Sequence, residues 1–250
     1  PRRFGFAVAA LLRRRGGVDG LRRTGRANLV AWGFLTGGLV LGGWWSDEVL
    51  GWGGFWAWDP VENAALIPWL VATAFIHSSV VQLRRGMLQA WNFVLVIATF
   101  ALTILGTFLT RSSVVVSVHS FSQSAVGPAL LGFFVLVVCG GFVLFALRGE
   151  RVASLSAPES LASREGVFLV NNLLLSLLAF VVLLGTVYPI LIEALTGSQV
   201  SVGRPYFDRM AVPIAFALLL AMGVGRVTPY RRATAAVLWA RLRIPLLVAS

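Results

Sequence analysis

Six stretches of the chain are long and apolar enough to be membrane crossings. A span needs about 20 mostly apolar residues to cross a hydrocarbon layer about 30 Å thick. The candidates are Asn28–Trp45, Glu62–Gln82, Met87–Leu109, Gly127–Leu147, Gly166–Pro189 and Val212–Val224. The last of these is short. Phe4–Leu12 reads as the tail of an earlier span and Ile244–Ser250 as the start of a later one, so the sequence reads as a piece of a longer protein. No run alternates with period two, and an open sheet would leave backbone groups unpaired in lipid. The pattern therefore predicts an all-α fold, a polytopic membrane bundle of about six full transmembrane helices. The most polar internal stretch, Arg148–Glu165 (RGERVASLSAPESLASRE), predicts a boundary between a first unit, 1–148, and a second, 149–250.

Composition agrees with the pattern. The 250 residues are 58% hydrophobic and only 12% charged, whereas a soluble domain carries roughly a quarter charged residues. The formal net charge is +11, and every basic residue is Arg. No groove-reading or base-stacking motif accompanies that charge, which excludes nucleic acid as a partner. The arginines instead mark loops. Arg13–Arg26 holds six, Gln82–Gly86 two, Arg148–Glu165 three and Arg226–Arg243 five. The alternate loops hold none (Ser46–Val61), one (Thr110–Val126) and two (Glu193–Arg209). Positive charge collects on the cytoplasmic side, so Ser46–Val61 is expected to face outward, with the loops around His119 and Arg204. Cys139, the single cysteine, excludes an internal disulfide and CxxC chemistry. No signal peptide can be read.

The outward loop leads into WGGFWAWDPVENAALIPWL, Trp52–Leu70, which holds four of the nine tryptophans. One reading is an aromatic belt at headgroup depth, a role that suits Trp44 and Trp45 just upstream. The other follows from the spacing. Trp52, Phe55, Trp56 and Trp58 are interleaved with Gly51, Gly53 and Gly54. Glycine lets backbone approach a flat object closely, and clustered indoles make a rigid apolar wall. Such a platform suits a large planar ligand. Asp59-Pro60-Val61-Glu62 fits N-cap, N1, N2 and N3 of a helix with a capping-box pair, so Asp59 reads as a cap, with a ligand contact in addition.

Two histidines are candidate ligands. His77 lies about 17 residues into the second span, roughly 25 Å below the outer surface. With Trp69 and Thr73 it recurs at i, i+4 and i+8, which predicts one shared helix face. An ionisable side chain at that depth is either hydrogen-bonded between helices or a metal ligand. His119, in TRSSVVVSVHSFS, is either a solvated loop residue or a ligand on the tryptophan side. On this topology the two histidines lie at opposite faces of the bilayer. They cannot ligate one metal ion together, so if both are ligands there are two sites.

WGGFWAWDPVENAALIPWL, followed by ALTILGTFLTRSSVVVSVHSF, resembles the CcmF family, the haem lyase component of bacterial cytochrome c maturation. The tryptophan segment is similar to the WWD signature of haem-handling membrane proteins, placed here at 51–69. The Asp-Pro-Val-Glu-Asn continuation favours CcmF or its relative NrfE over the delivery protein CcmC. LLGTVYPI and SVGRPYFD resemble the family's C-terminal region. The resemblance implies a multi-pass protein of the bacterial inner membrane with a periplasmic WWD loop. It implies haem bound at the outer site by Trp52, Trp56, Trp58 and Asp59, with His119 as iron ligand and Arg111 on a propionate or as an interface anchor. It also implies a haem b within the membrane, ligated by His77. The histidine that some members carry for that inner haem aligns with Ile192. The reaction implied is addition of the two thiols of an apocytochrome CxxCH motif across the haem vinyls. The partners implied are a CcmE-type haem chaperone, CcmH/CcmI-type proteins that present apocytochrome c, and quinol as electron source. Two rivals are a haem delivery or export protein without lyase activity and a transporter whose aromatic loop only anchors it.

Overall fold

All six expected spans are helices; five are longer than their apolar runs, and the third, Gln89–Arg111, is as long as its run Met87–Leu109 but shifted two residues along the chain. In the computed structural model, α1 is Val18–Leu50, α2 Pro60–Arg85, α3 Gln89–Arg111, α4 Val126–Arg148, α5 Arg164–Thr196 and α6 Arg204–Val227, with a 3-10 turn at Gly149–Val152. The structure describes residues 18–50, 54–112, 126–152 and 163–229, and a few isolated positions near the two ends. No strand occurs among them. Each helix is long and apolar enough to cross a membrane, α1 over Gly25–Val49. The chain is a multi-pass helical membrane protein.

The helices overrun the apolar runs where polar side chains hold extra turns. α1 reaches Leu50, so Ser46–Leu50, expected as loop, is helical; Ser46 Oγ donates to Gly42 O at 2.9 Å. α6 starts at Arg204, eight residues before the apolar run at Val212, because Arg204 and Asp208 pair across one turn at 3.1 Å.

The centre of the bundle is α2, which packs on α1, α3 and α5; α5 packs in turn on α6, and α3 on α4. Ile67, Leu70, Val71, Ala74 and Phe75 of α2 form the core with Leu95 of α3, Leu175 and Val182 of α5, and Phe207 of α6. Consecutive helices run in opposite directions. One end of the bundle therefore carries the tryptophan loop and the other the arginines. At the arginine end Arg85 meets Glu165 at 2.8 Å. α4 and α6 turn large apolar side chains outward, Phe142 at 72% exposure and Leu220 at 71%, as lipid-facing helices do. Trp44 and Trp45 are also outward, consistent with a place at the interface.

Polar side chains fasten the helices where hydrophobic burial cannot, since lipid is as apolar as the core. Trp69 Nε1 donates to Thr36 Oγ1 at 2.8 Å and Trp32 Nε1 to Thr73 Oγ1 at 2.9 Å, with the two indoles stacked at 6.1 Å. These bonds tie α1 to α2. They also correct the shared face expected for Trp69, Thr73 and His77. The first two meet α1, while His77 meets Phe168 of α5, ring centroids 5.9 Å apart. Each i to i+4 step gains about 40° on a 3.6-residue helix, so two steps carry His77 to another flank.

Between α2 and α3 the chain turns through Gly86 and Leu88, both left-handed (φ 68° and 64°). Above that turn the buried Asn92 bonds Ser78 and donates from Nδ2 to Gln82 Oε1 at 2.6 Å. Asn92→Leu takes the donor from the buried Gln82 Oε1, while Ser78 keeps its bond to Ala74 O at 3.0 Å. The expected loss is about 1–3 kcal/mol, measured as a lowered thermal unfolding midpoint in detergent.

Candidate functional site

The backbone of the tryptophan loop is held by the helix it leads into. Asp59 Oδ2 accepts the Val61 amide at 2.9 Å, and Glu62 Oε2 accepts the amides of Asp59 at 3.2 Å and Ala57 at 3.1 Å. The capping box is complete, so capping is a role Asp59 performs. Asn63, fully buried, donates from Nδ2 to Trp58 O at 3.1 Å. Trp58 itself sits at φ 60°, a left-handed conformation that costs a non-glycine residue energy unless its surroundings over-determine it.

Those surroundings come from the far end of the chain. Trp58 Nε1 donates to Asp208 Oδ1 at 2.8 Å, and the indole stacks on Phe207 at 5.1 Å and 11°. Phe207 reaches it because residue 185 is glycine: a Cβ there would come within 2.7 Å of the Phe207 ring. Beside this clamp lies a cavity of about 410 Å³. Trp58, Asn63, Thr186, Pro189, Glu193 and Phe207 line it. Asn63 Oδ1 is buried with no hydrogen-bond partner.

Trp56 goes the other way. Its ring meets Trp58 edge-on at 6.3 Å. It faces a groove of about 170 Å³ against Gly38 and Gly42 of α1, and its Nε1 is buried without a partner. The expected single platform is thus two walls, because the left-handed turn at Trp58 aims the two indoles to different flanks. Arg111 ends α3 at the same end of the bundle, exposed. Trp52 and His119 lie outside the described residues.

Sequence reasoning missed Asn63, Gly185, Phe207 and Asp208 as parts of this site. The last three fall in LLGTVYPI and SVGRPYFD, whose glycines and paired aromatics are the signal of close approach.

A second cavity, about 400 Å³, opens at the arginine end between α2, α5 and α6. His77, Arg84, Phe168, Asn171, Met222 and Arg226 are among its walls. His77 Nδ1 and Asn171 Oδ1 are buried without hydrogen-bond partners. An imidazole, three arginines (Arg84, Arg164 and Arg226) and apolar walls fit haem and its carboxylates. No group of three His, Cys, Asp or Glu side chains that could hold a bare metal ion occurs among the described residues. Ile192 does not belong to this cavity. It lies 24 residues beyond Phe168 on α5, about 36 Å along the axis, near the tryptophan end. Position 192 therefore could not have completed a ligand pair with His77.

Gly185→Val is expected to push Phe207 off Trp58, lowering stability by about 1–3 kcal/mol through overpacking. Gly132→Ala, where an added Cβ meets nothing within 4 Å, is the neutral control in the same thermal melt.

Residues 22–116 match the family described as "Cytochrome C assembly protein". The chain is 50% identical over 223 residues to the cytochrome c-type biogenesis protein CcmF of Pseudomonas aeruginosa, covering 89% of this chain and 34% of that one. It is 48% identical over 223 residues to CcmF of Escherichia coli, with 88% and 34% covered. NrfE of Haemophilus influenzae is 41% identical over 195 residues, with 78% and 31% covered. The solved structure of "Cytochrome c Heme Lyase CcmF" superposes with a TM-score of 0.77 at 44% identity, over 99% of this chain and 36% of that one. The chain thus spans about a third of the length of the relatives it matches. With this sequence identity and the same helical arrangement, the chain belongs to the CcmF family of cytochrome c assembly proteins.

Proposed function

We propose that this chain forms the haem-holding part of a cytochrome c haem lyase, with the tryptophan end at the periplasmic face of a bacterial inner membrane. The observation that carries the reading is the clamp on Trp58: a capped helix below, Asn63 on its carbonyl, Asp208 and Phe207 on its indole. Rigid aromatic walls of this kind position a planar substrate. The unpaired Asn63 Oδ1 and Trp56 Nε1 offer it polar contacts from both flanks. His119 supplies the iron ligand, and Arg111 a partner for a propionate. The sidedness is supported by the 16 arginines in the loops at one end against three at the other.

In this reading haem is the substrate, received from a CcmE-type chaperone. Apocytochrome c, presented by CcmH/CcmI-type proteins, supplies two thiols. Each S–H adds across one vinyl C=C, forming a thioether with no net oxidation. The reacting cysteines belong to the partner, so the enzyme needs none, and Cys139 faces outward on α4 away from both cavities. Holding both reactants in register can contribute about 7–11 kcal/mol. At the arginine end His77 holds a haem b, which when bound supplies one-electron transfer from quinol. The residues there orient its ring and neutralise its carboxylates.

The full-length protein carrying His119→Ala or Trp56→Ala is expected to lose outer-site haem, read from the Soret band of the purified protein, and to fall at least tenfold in assembly of c-type cytochromes. Normal haem content and normal assembly in both variants would remove the site. Loss of outer-site haem with unchanged thioether attachment would favour a delivery protein without lyase activity.

A further inference from the structure

The buried polar groups of the cavity beside the Trp58 clamp are acceptors. Asn63, 0% exposed, donates its Nδ2 to Trp58 O at 3.1 Å. That carbonyl can only accept, so the amide orientation is fixed, and Oδ1 is left buried without a partner in the cavity wall. Thr186, 4% exposed, donates its hydroxyl to Val182 O at 2.7 Å. Only its lone pairs remain for the cavity. Glu193 stands seven residues beyond Thr186 on the same face of α5, about 10 Å nearer the tryptophan end. It is exposed, at the mouth with Gln199 and Ser201. Its Oε1 accepts Gln199 Nε2 at 3.1 Å, and a carboxylate has lone pairs for further donors. The rings of Trp58 and Phe207 wall the same space. Two buried acceptors, a carboxylate at the mouth and aromatic walls call for a ligand that brings donors and positive charge.

We propose that this cavity is a subsite for a basic side chain, lysine or arginine, of the polypeptide that meets haem at the tryptophan end. This rests on the outer-site reading above and gives that polypeptide a place to dock on this chain. Haem meets the demand for a donor only through a protonated carboxyl, whereas an ammonium carries three N–H groups and a guanidinium five. The charge of Glu193 draws such a group to the mouth, and the Trp58 and Phe207 rings favour a cation over a neutral chain. The ammonium of an aminophospholipid is another source of the same chemistry. It carries a phosphate beside its ammonium, however, and the Glu193 carboxylate repels that phosphate. A lysine or arginine side chain enters without one.

The test uses the full-length protein purified in detergent. The probes are Nα-acetyl-lysinamide and Nα-acetyl-argininamide, with neutral Nα-acetyl-norleucinamide as control, and binding is followed by saturation-transfer NMR. The cationic probes are expected to bind about fivefold more tightly than the neutral one. Glu193→Gln and Thr186→Val should each weaken them severalfold and leave norleucinamide unchanged, while Gly132→Ala alters none of the three. Equal affinity for all three probes, no binding of the cationic ones, or unchanged affinity in both Glu193→Gln and Thr186→Val overturns the proposal. Displacement of the lysine probe by short-chain phosphatidylethanolamine, but not by the phosphatidylcholine of equal chain length, gives the cavity to a lipid and overturns it too. If the cationic probes bind as expected while His119→Ala and Trp56→Ala keep normal haem and normal assembly, the subsite stands and the outer-haem reading fails, an outcome separate from the others.

Discussion

The hydrogen bond from Trp58 Nε1 to Asp208 Oδ1 joins residues 150 positions apart and holds the tryptophan end of the bundle together. α6 packs mainly on α5, and this bond ties its first turns, which the Arg204–Asp208 pair helps hold helical, to the tryptophan loop as well. With it, Phe207 is drawn under the Trp58 ring, Gly185 gives the space, and the left-handed backbone at Trp58 is held in place. The loop then needs no regular structure of its own. Its shape is imposed by the caps and anchors on either side.

The two cavities follow from that arrangement. Both are flanked by α2 and α5, one at each end. The tryptophan end offers indoles, a buried amide and glycines; the arginine end offers an imidazole, guanidinium groups and a thioether. Between them runs the tightly packed stretch of α2 from Ile67 to Phe75, whose apolar side chains leave little room for water. Under the proposed function, two sites separated by an apolar core would keep a covalent reaction at one face apart from electron entry at the other.

The spans were legible because lipid imposes a simple rule: about 20 apolar residues, capped by charge. Their ends were less legible, since Arg204 and Asp208 look like loop until their contacts are known. The cap at Asp59 was readable because it is a local device within four residues. The clamp was not, because it needs Gly185, Phe207 and Asp208 to meet a loop more than a hundred residues earlier, and nothing in the spacing of either segment announces the pairing. The stripe Trp69–Thr73–His77 misled for a geometric reason: a face defined over one turn drifts to another flank by the second. Position 192 misled in the same way, since an aligned letter carries no information about height in the membrane.

The central claim is that the Trp58–Asp208 contact positions an outer haem site and does more than hold two helices together. A double-mutant cycle on the full-length protein tests it, with Trp58→Phe, Asp208→Asn and the pair, reading haem retained at the tryptophan end in a His77→Gly background. The account predicts that each single change lowers retention and that the pair is no worse than the more damaging single, since both remove one interaction. Unchanged retention in both singles, or losses that simply add, would contradict it.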